Sequence, residues 1–255
     1  MSSFRNLEIN GGRVENHAPG HYNLFLPSVT KGYADAQIDD YGRLKRANYP
    51  WLLGTRLQLE ARFSHPESEL IGTAGFGFWN APFGDPTIPW PTLPQAAWFF
   101  YGSSPTNLPL ALEGAGRGWF ASTINARSRK ALALIPTAPL VLLLNQFPPL
   151  RQRIWPAVRQ RLGITYEPLK LDITEWHTYR LDWQETGCTF VVDGRPILQT
   201  FAAPTGPLGF VCWLDNQYLA LTVRGRFGWG TIPIPETQTL SIRDLQIQQI
   251  SSTKA

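Results

Sequence analysis

Hydrophobic and polar residues alternate along most of this chain in short stretches with a period of two. Residues 56–63 are the clearest case. Leu57, Leu59, Ala61 and Phe63 fall on one face and Arg56, Gln58, Glu60 and Arg62 on the other, the pattern of a half-buried β-strand. Residues 33–41 alternate in the same way. Residues 72–80 predict a strand whose glycines, Gly72, Gly75 and Gly77, permit close approach of another backbone or a ligand. The stretch Gln95-Ala96-Ala97-Trp98-Phe99-Phe100-Tyr101 is nearly continuously apolar, as in a strand covered on both faces. Between these two, the proline-rich run 82–94 predicts a long loop, and 119–125 predicts a further short strand.

The pattern changes between 126 and 170. Leu140 to Leu144 and Leu150 to Leu162 read as helical, the second carrying Leu150, Ile154, Val158 and Leu162 at i+4 spacing with arginines elsewhere. Pro148 and Pro149 are expected to break that run and Pro156 to kink it. Alternation then returns in 175–183, 188–192, 195–201, 208–214, 220–224 and 239–250. Asp193-Gly194 is a strong two-residue hairpin signal. In the last strand the phase slips between Leu240/Ile242 and Leu245/Ile247, which predicts a bulge at Arg243-Asp244. Many short strands separated by turn residues predict an all-β fold, a sandwich or a barrel, interrupted by a short helical insertion near 135–165. Residues 1–32, rich in Asn, Gly, His and Pro, are expected to be irregular or to form an edge. The whole of 1–255 is read as a single domain, with 126–170 as a partly helical insertion.

Composition narrows the function classes. With 43% hydrophobic and 16% charged residues among 255, the chain can build a sizeable core. Ten Trp and fourteen Phe suit wide sheets and aromatic binding surfaces. A net charge of +4 is modest, and nucleic-acid binding is not expected without a concentrated basic face. The local enrichment is Arg127, Arg129 and Lys130, then Arg151, Arg153, Arg159 and Arg161. Cys188 and Cys212 fall in predicted strands and are expected as buried free thiols, or as one bridge if those strands are neighbours. Residues 1–11 contain no apolar leader and no 18-residue apolar run occurs, so the expected location is cytoplasmic. His17, His21, His65 and His177 have no metal-ligand spacing. No phosphate-binding loop or nucleophile elbow occurs. No metal or cofactor is expected.

Two phrases carry a family resemblance. Trp176-His177-Thr178-Tyr179-Arg180-Leu181-Asp182-Trp183, followed after a turn by Phe190-Val191-Val192-Asp193-Gly194, resembles the family 16 glycoside hydrolases and the wider concanavalin A-like lectin/glucanase group. The stretch from Arg56 to Gly102 resembles the heart of a laminarinase-type member. The resemblance spans 33–250 apart from the helical insertion and implies a jelly-roll sandwich with a concave sheet. It also implies a catalytic strand of the form Glu-x-Asp-x-x-Glu. By order along the chain that strand is 95–101, which contains no acid. Retaining hydrolysis needs two carboxyl groups roughly 5–5.5 Å apart, and Trp98, Phe99 and Phe100 can neither transfer a proton nor form a glycosyl ester. The catalytic residues of the family are therefore not carried over.

The remaining acidic candidates are Asp39-Asp40, Asp85, Glu113 and Asp215. Asp39 and Asp40 are adjacent on a strand and expected on opposite sides. Asp85 and Glu113 fall in loops, and Asp215 ends an apolar strand without a visible partner. The reading that follows is a non-catalytic sandwich that binds a carbohydrate or similar extended ligand on its concave face. Trp79, Asn80, Trp98, Phe100, Trp213, Asp215 and Asn216 are the candidate ligand-binding residues, against the alternative that these aromatics are core. Two other readings stay open: a divergent glycoside hydrolase using carboxylates from other strands, and an interaction protein docking a membrane through 138–163, ranked below burial of that apolar stripe on the sandwich.

Overall fold

A computed structural model describes residues 4–83, 90–111 and 114–250. The first sheet is built from β1 (Arg5–Ile9), β4 (Asp35–Asp39), β6 (Thr73–Trp79), β7 (Gln95–Gly102), β8 (Gly118–Asn125), β9 (Thr165–Pro168) and β13 (Gly209–Asp215). The second contains β2 (Arg13–Ala18), β3 (His21–Leu26), β5 (Thr55–Phe63), β10 (His177–Gln184), β11 (Gly187–Val192), β12 (Arg195–Thr200) and β16 (Gln238–Gln249). Each sheet has seven strands, in the orders β1-β4-β13-β6-β7-β8-β9 and β12-β11-β10-β5-β16-β3-β2, and their neighbouring strands pair antiparallel. A separate hairpin joins β14 (Gln217–Leu221) to β15 (Phe227–Thr231). Helices α1 (Arg129–Leu132), α2 (Ala138–Leu144) and α3 (Pro148–Arg161) lie between β8 and β9. The chain is thus an all-β antiparallel sandwich with a short helical segment where the hydropathy pattern places it.

Alternation along each strand sends one set of side chains between the sheets. Leu57, Leu59, Ala61 and Phe63 of β5 are buried there with Tyr179, Leu181 and Trp183 of β10 and with Phe76, Phe78, Phe99 and Phe210 of the first sheet. Rings from the two sheets meet edge to face, with Phe99 5.0 Å and Phe76 5.1 Å from Tyr179 between centroids. Burying each ring contributes about 2–3 kcal/mol. Cys188 and Cys212 are both buried and free, because β11 and β13 belong to opposite sheets. Asp193 and Gly194 have φ of 49° and 75°, as a two-residue hairpin requires. The register of β16 against β5 shifts between Arg243 and Gln246, and Asp244 has φ of 53°, which places the bulge where the phase of Leu240/Ile242 slips.

Residues 4–32 form an edge, as one of the two expectations had it, with β1 and β2 the edge strands of the two sheets, but they are not irregular: Tyr22, Leu24 and Leu26 of β3 alternate into the core. Asn, Gly and His content masked that periodicity, since Asn10, Gly11 and Gly20 sit at turns between the strands. Pro148 and Pro149 do separate two helices, α2 ending at Leu144 and α3 starting at Pro148, where in the first turn no intrahelical N–H partner is lost, and Pro156 lies inside α3, which runs on to Arg161. The segment expected as a lone strand at 220–224 is instead the turn side of the β14–β15 hairpin.

Candidate binding face

The second set of side chains on the first sheet points away from the sandwich core. Register fixes which residues share this face. Gly75 pairs with Trp213 and Phe100, Gly77 with Val211 and Trp98, and Trp98 and Phe100 with Ser122 and Phe120. The two glycines are what makes the layer possible. A Cβ on Gly77 would lie 2.6 Å from the Cα of Trp98 and 2.5 Å from the Ala97 carbonyl oxygen, and one on Gly75 would lie 2.9 Å from the Trp213 ring. Both have φ in the positive region, 152° and 157°, open to glycine at little cost.

The result is a continuous aromatic layer. Trp79 and Trp213 are parallel at 6.2 Å, and Trp98 lies 6.0 Å from Trp79, 5.7 Å from Trp213 and 5.2 Å from Phe100. Phe120 stacks on Phe100 at 5.3 Å and Tyr166 follows at 4.8 Å. Leu108, Leu110, Tyr49 and Ile164 pack against this layer, so Trp98, Phe100 and Trp213 are only 9%, 7% and 7% exposed. Trp79 at the end of β6 is more open. The indole N–H of Trp98 is buried without a hydrogen-bond acceptor among the described residues, a rare state for a buried donor.

Polar groups border the aromatic layer on the β4 side. Arg5 donates to the Asp39 carboxylate at 2.7 and 2.9 Å, and Asp39 also accepts from Gln37 and from the Tyr41 and Gly42 backbone. The Trp79 indole donates to the Tyr41 hydroxyl at 2.9 Å. At the other end of the strand, Asp35 of β4 and Asp215 of β13 are direct cross-strand partners, and the Tyr33 hydroxyl interacts with both. Asp215 accepts from the Thr73 hydroxyl at 2.7 Å and from the Thr73 and Gln217 backbone N–H groups, while the Trp213 indole donates to the same Thr73 hydroxyl. Burial outweighs these donors and pushes the Asp215 carboxyl up to about 6.

The structure therefore brings Trp79, Trp98, Phe100, Trp213 and Asp215 together on one face. Asn80 and Asn216 face other work. The Asn80 side chain accepts from the Gln95 backbone and donates to the Leu93 carbonyl, and Asn216 bridges Gly32, Ala34 and Ile232. Asp39 and Asp40 do diverge. Asp40 accepts from the Phe210 backbone and the Trp51 indole, and burial raises its carboxyl to about 6. Asp85 and Glu113 lie outside the described residues. Strand β7, expected at the position of the family's catalytic strand, is central in the sheet and turns Ala96, Trp98 and Phe100 to this face. The sequence reading missed Tyr33, Asp35, Gln37 and Arg5. Asp35-x-Gln37-x-Asp39 carried a usable signal, three polar side chains at period two on a strand whose other positions are apolar. Among the described residues no group of three His, Cys, Asp or Glu side chains is placed to hold a metal.

Compared with known proteins, the chain matches no family model, and no curated protein matches it. Solved structures do resemble it. An endo-β-galactosidase from Clostridium perfringens that releases GlcNAcα1-4Gal superposes with a TM-score of 0.50 at 9% identity, covering 96% of this chain and 59% of that one. A structure from work on endo-acting O-glycanases of the human gut microbiota gives 0.48 at 13% identity over 91% and 80% of the two chains. The Rv0315 pseudo-β-1,3-glucanase of Mycobacterium tuberculosis gives 0.44 at 12% identity over 91% and 78%. At these identities the likeness is one of fold alone, a two-sheet antiparallel sandwich.

Proposed function

We propose that this chain is a non-catalytic glucanase-like sandwich whose outer aromatic face binds a carbohydrate or a similar extended ligand. The observation that carries the reading is the Trp79–Trp213–Trp98–Phe100 layer with the unpartnered Trp98 indole N–H buried within it. Sugar rings stack their C–H faces on such rings while a few fixed polar groups orient the hydroxyls. Trp98, Phe100 and Trp213 are buried as they stand, so on this reading the ligand first meets Trp79, the more open ring of the layer. Absence of any acid from β7 supports binding without turnover. The expected result is binding of β-linked oligosaccharides on a glycan array, lost in Trp79→Ala and Trp98→Phe with circular dichroism unchanged. Trp98→Phe keeps an aromatic ring but removes the N–H together with part of the indole, so retention of full binding by both variants sinks the proposal.

One observation favours the divergent hydrolase as a second reading. Asp35 and Asp215 are register partners on adjacent strands and Tyr33 interacts with both, and a carboxyl with a raised pKa is the kind that can serve as a general acid. Release of reducing ends from a polysaccharide panel, abolished by Asp215→Asn, would establish it. Silence on that panel together with array binding leaves the first reading standing.

A further inference from the structure

Helix α2 has the sequence Ala-Pro-Leu-Val-Leu-Leu-Leu and buries none of its residues. It lies in a longer run, 131–150, without a single charged side chain. Ile135, Leu140, Leu143 and Phe147 of that run are 55–60% exposed. A soluble helix normally turns such residues inward. The neighbouring α3 behaves as expected, with Val158 buried, Ile154 and Leu162 half-buried and Leu162 packed on the sandwich, so it is the apolar residues of α2 that are left outside.

A second exposed apolar element is tied to the first. The Asn145 side chain donates to the Val223 carbonyl at 2.9 Å and Gln146 to the Arg224 carbonyl at 3.0 Å, while Leu142 sits against Gly225. These contacts fix α2 to the turn of the β14–β15 hairpin. On that hairpin Phe227 and Trp229 are 66% and 65% exposed, with Leu221 paired opposite Phe227.

The segments that carry this patch hold charges of one sign in sequence. Arg127, Arg129 and Lys130 precede the uncharged run and Arg151 and Arg153 follow it, and no acidic residue occurs between positions 114 and 166 or between 216 and 235. Beside the patch, a pocket of about 430 Å³ between the start of α3, residues 107–111 and the hairpin turn is lined by Arg151, Arg224 and Arg226. None of its described lining residues is acidic.

We infer that α2 and the β14–β15 hairpin form a docking surface for the face of an anionic lipid bilayer. Leu140, Leu143, Phe227 and Trp229 enter the acyl boundary and the arginine-lined pocket receives a headgroup phosphate. Exposed leucines with an aromatic pair and flanking arginines are the composition of an element that lies in the membrane interface, and the arginines complement anionic lipid. The element lies on the membrane rather than through it. At 1.5 Å per residue α2 is roughly 10 Å long against a hydrocarbon core of about 30 Å, and no helix of the described residues is long and apolar enough to cross. This inference does not depend on the ligand of the aromatic face.

Flotation of the full chain with phosphatidylcholine vesicles containing about 30% phosphatidylglycerol tests it, with pure phosphatidylcholine vesicles and free inorganic phosphate as the other arms. The wild-type chain is expected to float with the anionic vesicles. Leu140→Asp/Leu143→Asp lowers that partitioning roughly tenfold or more, since it puts two charges into the acyl boundary. Arg224→Glu/Arg226→Glu lowers it on anionic vesicles and leaves any residual binding to neutral vesicles unchanged. All four positions are on the surface, so circular dichroism and melting confirm that each variant is folded. Flotation equal on neutral and anionic vesicles, or unchanged in Leu140→Asp/Leu143→Asp, overturns the inference. So does a wild-type dimer in sedimentation velocity that the leucine variant dissociates without any vesicle binding, which assigns the patch to a second copy of the chain.

Discussion

Replacing Asp215 with Asn turns the burial of one carboxyl into a measurable pH dependence. Asp215 is buried at the end of β13 and its carboxyl is pushed from the ordinary value near 3.8 up to about 6 by desolvation, against hydrogen bonds from Thr73 and Gln217. A raised carboxyl pKa makes the folded state bind more protons than the unfolded chain between those two values, so stability falls as pH rises. The contribution is fully present below about pH 4 and is lost as pH climbs through 6. About two pKa units at 1.36 kcal/mol each gives a loss of about 3 kcal/mol by pH 7 and above. Asparagine keeps the acceptor oxygen for Thr73 and Gln217 and cannot ionise. The two proteins should be close in stability at pH 4, and the Asn variant should gain 2–3 kcal/mol over the wild type by pH 7. Urea unfolding at half-unit steps from pH 4 to 7 gives both curves, and their difference removes the titrating groups that do not interact with Asp215. Parallel curves across that range would refute the reasoning, because Asp215 would then titrate as an ordinary exposed carboxylate.

Other perturbations report on neighbouring parts of the same sheet. Gly77→Ala drives a methyl group into the Trp98 backbone and should cost roughly 2–4 kcal/mol, whereas Gly114→Ala, with φ of 75° and nothing within 4 Å, should cost only about 1 kcal/mol for its backbone; equal melting shifts would remove the packing account. Arg5→Ala leaves the fully buried Asp39 without its cation and should destabilise by about 3 kcal/mol, and adding Asp39→Asn should recover a good part of that in a double-mutant cycle. Burial raises both thiols well above the usual range, so a charged disulfide reagent should label neither Cys188 nor Cys212 in the native protein and both after denaturation.

The sandwich was legible because period-two alternation survives wherever one face of a strand is buried, as in 56–63 and 175–183. It failed where turn-forming residues crowd the strands. Tyr22, Leu24 and Leu26 alternate as cleanly as Leu57, Leu59 and Ala61, yet they stand beside Gly20 and two histidines. The four aromatics of the binding face were legible as residue types on adjacent strands. What one sequence could not supply was register. Asp215 gained its partner only when β4 and β13 came into alignment, because Asp35 lies far away along the chain. The apolar segment 138–163 was read correctly as helical, but periodicity cannot say which side of a helix meets protein. The exposure of α2 follows from its neighbours, Gly225 and the two carbonyls that hold Asn145 and Gln146.

Strand β16 lies between β3 and β5, so Tyr22 pairs with Ile242 and Leu26 with Gln238. More than two hundred residues of chain separate these partners. During synthesis, the N-terminal hairpin and β5 must wait with bare edges, Leu24 and Leu57 half covered, until β16 is made. Such a topology folds slowly and is vulnerable to association while incomplete. Nascent chains halted before position 238 should engage chaperones and form intermolecular sheet, whereas those carrying the last strand should not.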